Sequence, residues 1–169
     1  MGSKIVLLPM VFFVFLLTID QTLADDAIGY AEKLFAEKEY KKAISHLKDV
    51  TEENPSSAES WLLMGKCYNA LEKEKKAVEA YTKVVQIWPD HEEANYLLGM
   101  SYSLSEAHMM AIEAFKRVVE INPQNIQAHF ALGVSYDQIA RLSDAFEQYK
   151  ILRTLDPKLA DDLRAIIME

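Results

Sequence analysis

Chemistry needs side chains that hold a proton, a metal or a covalent intermediate, and this chain offers few of them. Its 169 residues include four histidines, His46, His91, His108 and His129, and one cysteine, Cys67. The histidines are far apart in sequence, with no His-Glu-x-x-His helix motif and no Cys–His pair to activate a nucleophile. His108-Met109-Met110 carries imidazole and thioether donors of the kind that suit copper. It falls at an expected interhelical turn, with Met109 and Met110 expected to reach the core, so core packing is the preferred reading. His91-Glu92-Glu93 places acids where a helix start favours negative charge, so it is expected to be a solvated helix N-terminus and not a ligand set. Cys67, between Lys66 and Tyr68, is expected to pack as a small apolar residue. No catalytic residue, metal site or cofactor is expected.

Length and composition suit one folded domain, with half the residues apolar and only five Gly and five Pro. The formal net charge is −8. Residues 1–24 hold one cation, Lys4, and one anion, Asp20, so the remainder carries the same charge. An acidic body without a basic stripe disfavours nucleic acid as a partner. The clusters Lys41-Lys42 and Lys73 to Lys76 are interrupted by acids or apolar positions and resemble solvated helix faces.

The N-terminus has the order of a secretory signal: Lys4, an apolar run from Ile5 to Ile19, a short polar stretch ending in Ala24, then Asp25-Asp26. The run would make a helix of roughly 22 Å, short of the roughly 30 Å of a bilayer core. Cleavage after Ala24 is expected, giving an exported protein, periplasmic or secreted. A retained signal-anchor is the alternative, since one Lys is a weak n-region, and membrane contact would then run through residues 5–19 only. No Cys follows the run, and Val6 stands where myristoylation wants Ser or Thr.

Behind this segment the sequence repeats every 34 residues. Gly65, Gly99 and Gly133 share the spacing, as do Tyr68, Tyr102 and Tyr136. Ala43, Ala77, Ala111 and Ala145 form a column, and so do Pro55, Pro89, Pro123 and Pro157. Four residues after each Ala stand Leu47, Tyr81, Phe115 and Tyr149. These glycines therefore follow the repeat, not a phosphate loop. Each unit carries two apolar stripes of helical period: Trp61, Met64, Tyr68 and Leu71, then, after the polar break Glu72 to Lys76, Ala77, Tyr81, Val84, Val85 and Trp88. Proline ends the second helix. Ser56 with Glu59, and Asp90 with Glu93, fit a capping box that restarts the chain. A helical Gly costs roughly 0.8–1 kcal/mol against Ala, so its recurrence implies close approach of a partner helix, with the Ala column answering from the second helix. The aromatic columns are expected to fill the space between helices.

In these columns the chain resembles the tetratricopeptide repeat family, whose Trp, Leu-Gly, Tyr, Ala, Phe and Pro pattern is met by Trp61, Met64-Gly65, Tyr68, Ala77, Tyr81 and Pro89. The resemblance implies an all-α, right-handed solenoid of about four helix-turn-helix units: a divergent 25–57, then 58–91, 92–125 and 126–157. Residues 158–169, with Leu159, Leu163, Ile166 and Ile167 on one face, would be a capping helix. Asn95 and His129 occupy the column of Trp61, which puts the tightness of those junctions in question. In this family the first helix of each unit lines a concave groove. Carried over, the groove rows are Ile28, Leu62, Tyr96 and Phe130; Glu32, Lys66, Met100 and Val134; Phe35, Asn69, Ser103 and Asp137. Leu62, Lys66, Asn69, Tyr96, Met100, Phe130 and Val134 are thus the expected partner-binding residues, competing with plain packing between helices. Members that clamp acidic chaperone tails use Lys and Asn there; Ile28, Glu32 and Leu62 do not match. The resemblance implies a non-catalytic adaptor or assembly factor that holds a segment of another protein. The alternative is a membrane-tethered structural subunit that self-assembles through its repeat faces.

Overall fold

A computed structural model describes residues 27–168, so the signal segment and its cleavage lie outside the described residues. Regular structure in that range is helical throughout: α1 (27–36), α2 (Tyr40–Glu53), α3 (Ala58–Ala70), α4 (Glu74–Ile87), α5 (Glu92–Leu104), α6 (His108–Ile121), α7 (Ile126–Gln138), α8 (Leu142–Leu155) and α9 (Pro157–Ile167). The helices pair antiparallel as α3 with α4, α5 with α6 and α7 with α8, and each pair packs on the next chiefly through its even-numbered helix, which lies against the odd-numbered helix that follows. No helix of the described residues is long and apolar enough to cross a membrane.

The turn inside each pair has one construction. Lys38, Glu72, Glu106 and Ala140, again 34 apart, all take a left-handed backbone with φ between 54° and 62°. The N–H of the following residue then reaches back five positions, from Glu39 to Leu34, Lys73 to Tyr68, Ala107 to Tyr102 and Arg141 to Tyr136, at 2.8–2.9 Å. Glu72 N–H closes a second, inner bond to Asn69 O at 2.9 Å. This double closure is the Schellman end of an α-helix. Because the chain leaves it already aimed into the next helix, α2, α4, α6 and α8 begin without a side-chain cap.

The turn between pairs works differently. Ser57, His91 and Asn125 cap α3, α5 and α7, each accepting from the N–H three residues on. The capping residue is therefore one position later than Ser56 and Asp90, because the proline turn takes two further residues before helix resumes. Asp90 instead pairs with Arg117 of α6. At the last turn the spacing collapses: Asp156 caps α9 directly and Pro157 is its first residue, where a missing N–H costs nothing. The terminal helix thus starts at Pro157, not at 158.

The glycine column does what its recurrence implies. A Cβ at Gly99 would stand 2.6 Å from Phe115 Cε1, and one at Gly65 would stand 2.7 Å from Tyr81 Cδ1. The close partner is the aromatic four residues after the alanine, while Ala77 and Ala111 are themselves fully buried. Gly133 breaks the series, because Leu163 of α9 fills its space, with a Cβ there 2.8 Å from Leu163 Cδ1. Tyr149 is only half-buried at the edge of the core and meets Phe146 edge-on at 6.2 Å, whereas Leu47, Tyr81 and Phe115 are fully buried.

Three further expectations are corrected. Trp88 leaves the second stripe and is 53% exposed, its ring edge-on to His91 at 4.9 Å, because it sits past the last turn of α4. Met109 and Met110 do not reach the core; they are 57% and 58% exposed in the first turn of α6, which starts at His108. The junctions at Asn95 and His129 are tight: both residues are 5% exposed. Asn95 Nδ2 donates to Pro89 O at 2.9 Å and His129 Nε2 to Pro123 O at 2.9 Å, the bond that Trp61 Nε1 makes to Pro55 O. Three unlike side chains deliver one N–H to the carbonyl six residues back.

Candidate functional site

α3, α5 and α7 lie side by side, and the expected groove rows face out from them. Leu62, Tyr96, Phe130 and Val134 are half-buried, each resting its inner edge on the core and leaving an outer edge to solvent. Tyr96 leans on Phe115 with ring centres 5.7 Å apart, and burial raises its phenol pKa. Met100 is the most exposed of the set. Ile28 is half-buried and Glu32 exposed at the divergent end, while Ser103 and Asp137 are half-buried. Phe35 turns to its own unit's turn, edge-on to Tyr40 at 5.4 Å.

Two polar members are already engaged. Lys66 Nζ pairs with Glu93 Oε1 of the next unit at 2.7 Å. Asn69 Nδ2 donates to Tyr81 Oη at 3.1 Å, and its Oδ1 accepts from Ser101 Oγ at 3.2 Å. Asn69 thus ties α3, α4 and α5 together, and its amide serves the junction instead of standing ready for a ligand. Burial foremost, then the Glu93 charge, raises the Tyr81 phenol above its ordinary pKa, so it stays a neutral partner to Asn69.

The sequence rows missed one part of this surface. A cleft of about 360 Å³ opens between the N-terminal ends of α5 and α7, lined by Glu92, Glu93, Tyr96, Asn125 and Gln127. Asn125 caps α7 with its Oδ1 and gives its Nδ2 to Glu92 Oε1 at 2.7 Å, and Asn122 Nδ2 donates to the same oxygen at 2.9 Å. Positions 59, 93 and 127 precede Leu62, Tyr96 and Phe130 by three residues, so helical spacing puts them on the same face. That spacing was the available signal.

Chemistry of other kinds finds no constellation. Among the described residues no group of three or more His, Cys, Asp and Glu is placed to hold a metal ion. His91 acts as a helix cap, with Nδ1 accepting from Ala94 N–H at 3.3 Å, and His129 serves its junction. Cys67 is fully buried, and desolvation pushes its thiol up to about 11.

Comparison with known proteins matches this architecture. Residues 92–125 match the family model for the tetratricopeptide repeat, and residues 11–84 match that for subunit 3 of the anaphase-promoting complex, or cyclosome. No curated protein sequence matches the chain. Among solved structures, MamA from Desulfovibrio magneticus RS-1 superposes with a TM-score of 0.74 at 21% identity, over 86% of this chain and 93% of that one. YrrB, described as a tetratricopeptide repeat protein with an unusual peptide-binding site, gives 0.74 at 23% identity over 85% and 75%. The first such domain of Spaghetti (RPAP3), solved with the HSP90 peptide SRMEEVD, gives 0.66 at 20% identity over 69% and 93%. At these identities the likeness is one of fold. With its 34-residue columns, its helix pairs and the matched models, the chain belongs to the tetratricopeptide repeat family.

Proposed function

We propose that this protein is a non-catalytic interaction module that holds a segment of a partner protein along α3, α5 and α7. The observation that carries this reading is the row Leu62, Tyr96 and Phe130, continued by Met100 and Val134, whose side chains are anchored in the core yet keep an apolar edge in solvent. Such half-seated apolar and aromatic side chains in a concavity suit an extended or helical peptide. Peptide binding in the two superposed proteins named for it supports the same use of the fold. An acidic chaperone tail is a poor fit, because Lys66, the groove's cation, is neutralised by Glu93.

The test is photo-crosslinking in cells from the full chain, with the probe placed at Tyr96, at Phe130 or at exposed Lys83 of α4. Capture of one partner from positions 96 and 130, mapped to a single segment, supports the groove. Capture from position 83 alone sinks it. We also propose that the module works after export, on the strength of the Lys4, Ile5–Ile19 and Ala24 pattern. Mass measurement of the native N-terminus checks this: a chain beginning at Asp25 is expected, and one that retains residues 5–19 favours the membrane-tethered subunit instead.

A further inference from the structure

We infer that the partner segment is cationic as well as apolar, and that one of its Lys or Arg side chains enters the cleft between α5 and α7. This rests on the groove reading above and adds the chemistry of its occupant.

The outer edges of Leu62, Tyr96 and Phe130 are apolar and would accept many segments, so selectivity has to come from what surrounds them. The columns that border this row carry Glu32, Glu59, Glu92, Glu93 and Asp137 against the single cation Lys66. Lys66 spends its charge on Glu93 Oε1, and Glu92 Oε1 takes both asparagine amides, so each of the two cleft carboxylates keeps its second oxygen without a donor among the described residues. The two donors that Glu92 receives among the described residues are neutral amides, not cations. Tyr96 and Gln127 line the same cleft. An aromatic face beside carboxylates is the setting in which a guanidinium or ammonium gains from both charge and ring. A cleft of about 360 Å³ is large enough for such a side chain. An acidic segment would meet net negative charge in these columns, and like-charge juxtaposition is one way in which a surface rejects wrong partners.

The experiment pans a display library of random twelve-residue peptides against the immobilised full chain, with Tyr96→Ala/Phe130→Ala as the groove control. Enrichment of Lys or Arg flanked by apolar residues is expected, lost against the control. The best fluorescein-labelled peptide should bind about threefold to fivefold more weakly when its basic residue is changed to Gln. That difference should shrink in Glu93→Gln, and further in Glu92→Gln/Glu93→Gln, both checked for native helicity by circular dichroism. Apolar enrichment without basic residues, or with acidic ones, overturns the inference and leaves the groove standing. Peptides that bind wild type and the Tyr96→Ala/Phe130→Ala control alike, or no enrichment at all, overturn the groove reading itself.

Discussion

Trp61, Asn95 and His129 share neither size nor shape, yet each supplies one N–H to a carbonyl at a proline turn. What these three share is a donor of the right reach, and the residue letters hide it. Replacing Asn95 by Leu keeps the branched shape but leaves Pro89 O without its donor inside the junction. A cost of about 1–3 kcal/mol is expected, read as a lower urea midpoint, and Asn95→Gln should cost as much because its amide stands one methylene away. A Leu variant as stable as wild type would show that the bond is dispensable. Cys67 makes a second residue-scale claim. Its thiol is held up at about 11, above its ordinary 9.0, by desolvation. The unfolded chain releases this proton first, so between those values it binds fewer protons than the native state and stability falls as pH rises. Below them Cys67 contributes no pH dependence. Comparing urea midpoints at about pH 8.5 and about pH 10.5, wild type should lose more than Cys67→Ala, while Tyr68 and Tyr81, raised mainly by desolvation and least by Cys67, act nearly alike in both. Equal losses would mean that the thiol titrates normally.

At the scale of the element, the repeat was legible wherever one residue type recurs. Gly65, Gly99 and Gly133, with the Ala and Pro columns, announce close helix pairs and turns because only small or ring-closed residues serve there. The left-handed column stayed invisible, since Lys38, Glu72, Glu106 and Ala140 have no side-chain property in common and glycine is the residue that normally marks such a turn. Helical period alone also put Trp88 inside, because a stripe does not reveal that it has run past the last turn that its neighbour covers, and an expected turn put Met109 and Met110 in the core, although α6 already begins at His108. The missed column is open to test. A non-glycine residue in this conformation costs roughly 1–2 kcal/mol, offset in part by glycine's larger entropy loss, roughly 0.5–1 kcal/mol. Ala140→Gly should therefore stabilise the protein by about 0.5–1 kcal/mol, seen as a rise in Tm. A fall in Tm would mean that the turn between α7 and α8 carries no strain to relieve.

For the whole molecule, the question is how far a local change travels. Each helix pair touches only its neighbours, as in other repeat arrays, so stability is approximately a sum of units and junctions. Sequence showed that the array needs an end cap, and the apolar face of Leu159, Leu163 and Ile166 named it. What it could not show is that Leu163, and not Tyr149, lies against Gly133, which makes α9 part of the last unit's interior. Leu163 is fully buried, and truncating it to Ala should cost about 2–5 kcal/mol, with little room for collapse because the backbone at Gly133 is already close. The loss should be uneven. Hydrogen exchange should quicken first in α7, α8 and α9, which meet at this side chain, and last in α3 and α4. Phe130 and Val134 would loosen with α7 while Leu62 and Lys66 kept their places, so a bound segment would fray at the Phe130 end before the Leu62 end. Uniform acceleration across all helices would instead show that the array unfolds as one cooperative body, and the groove would then be gained or lost whole.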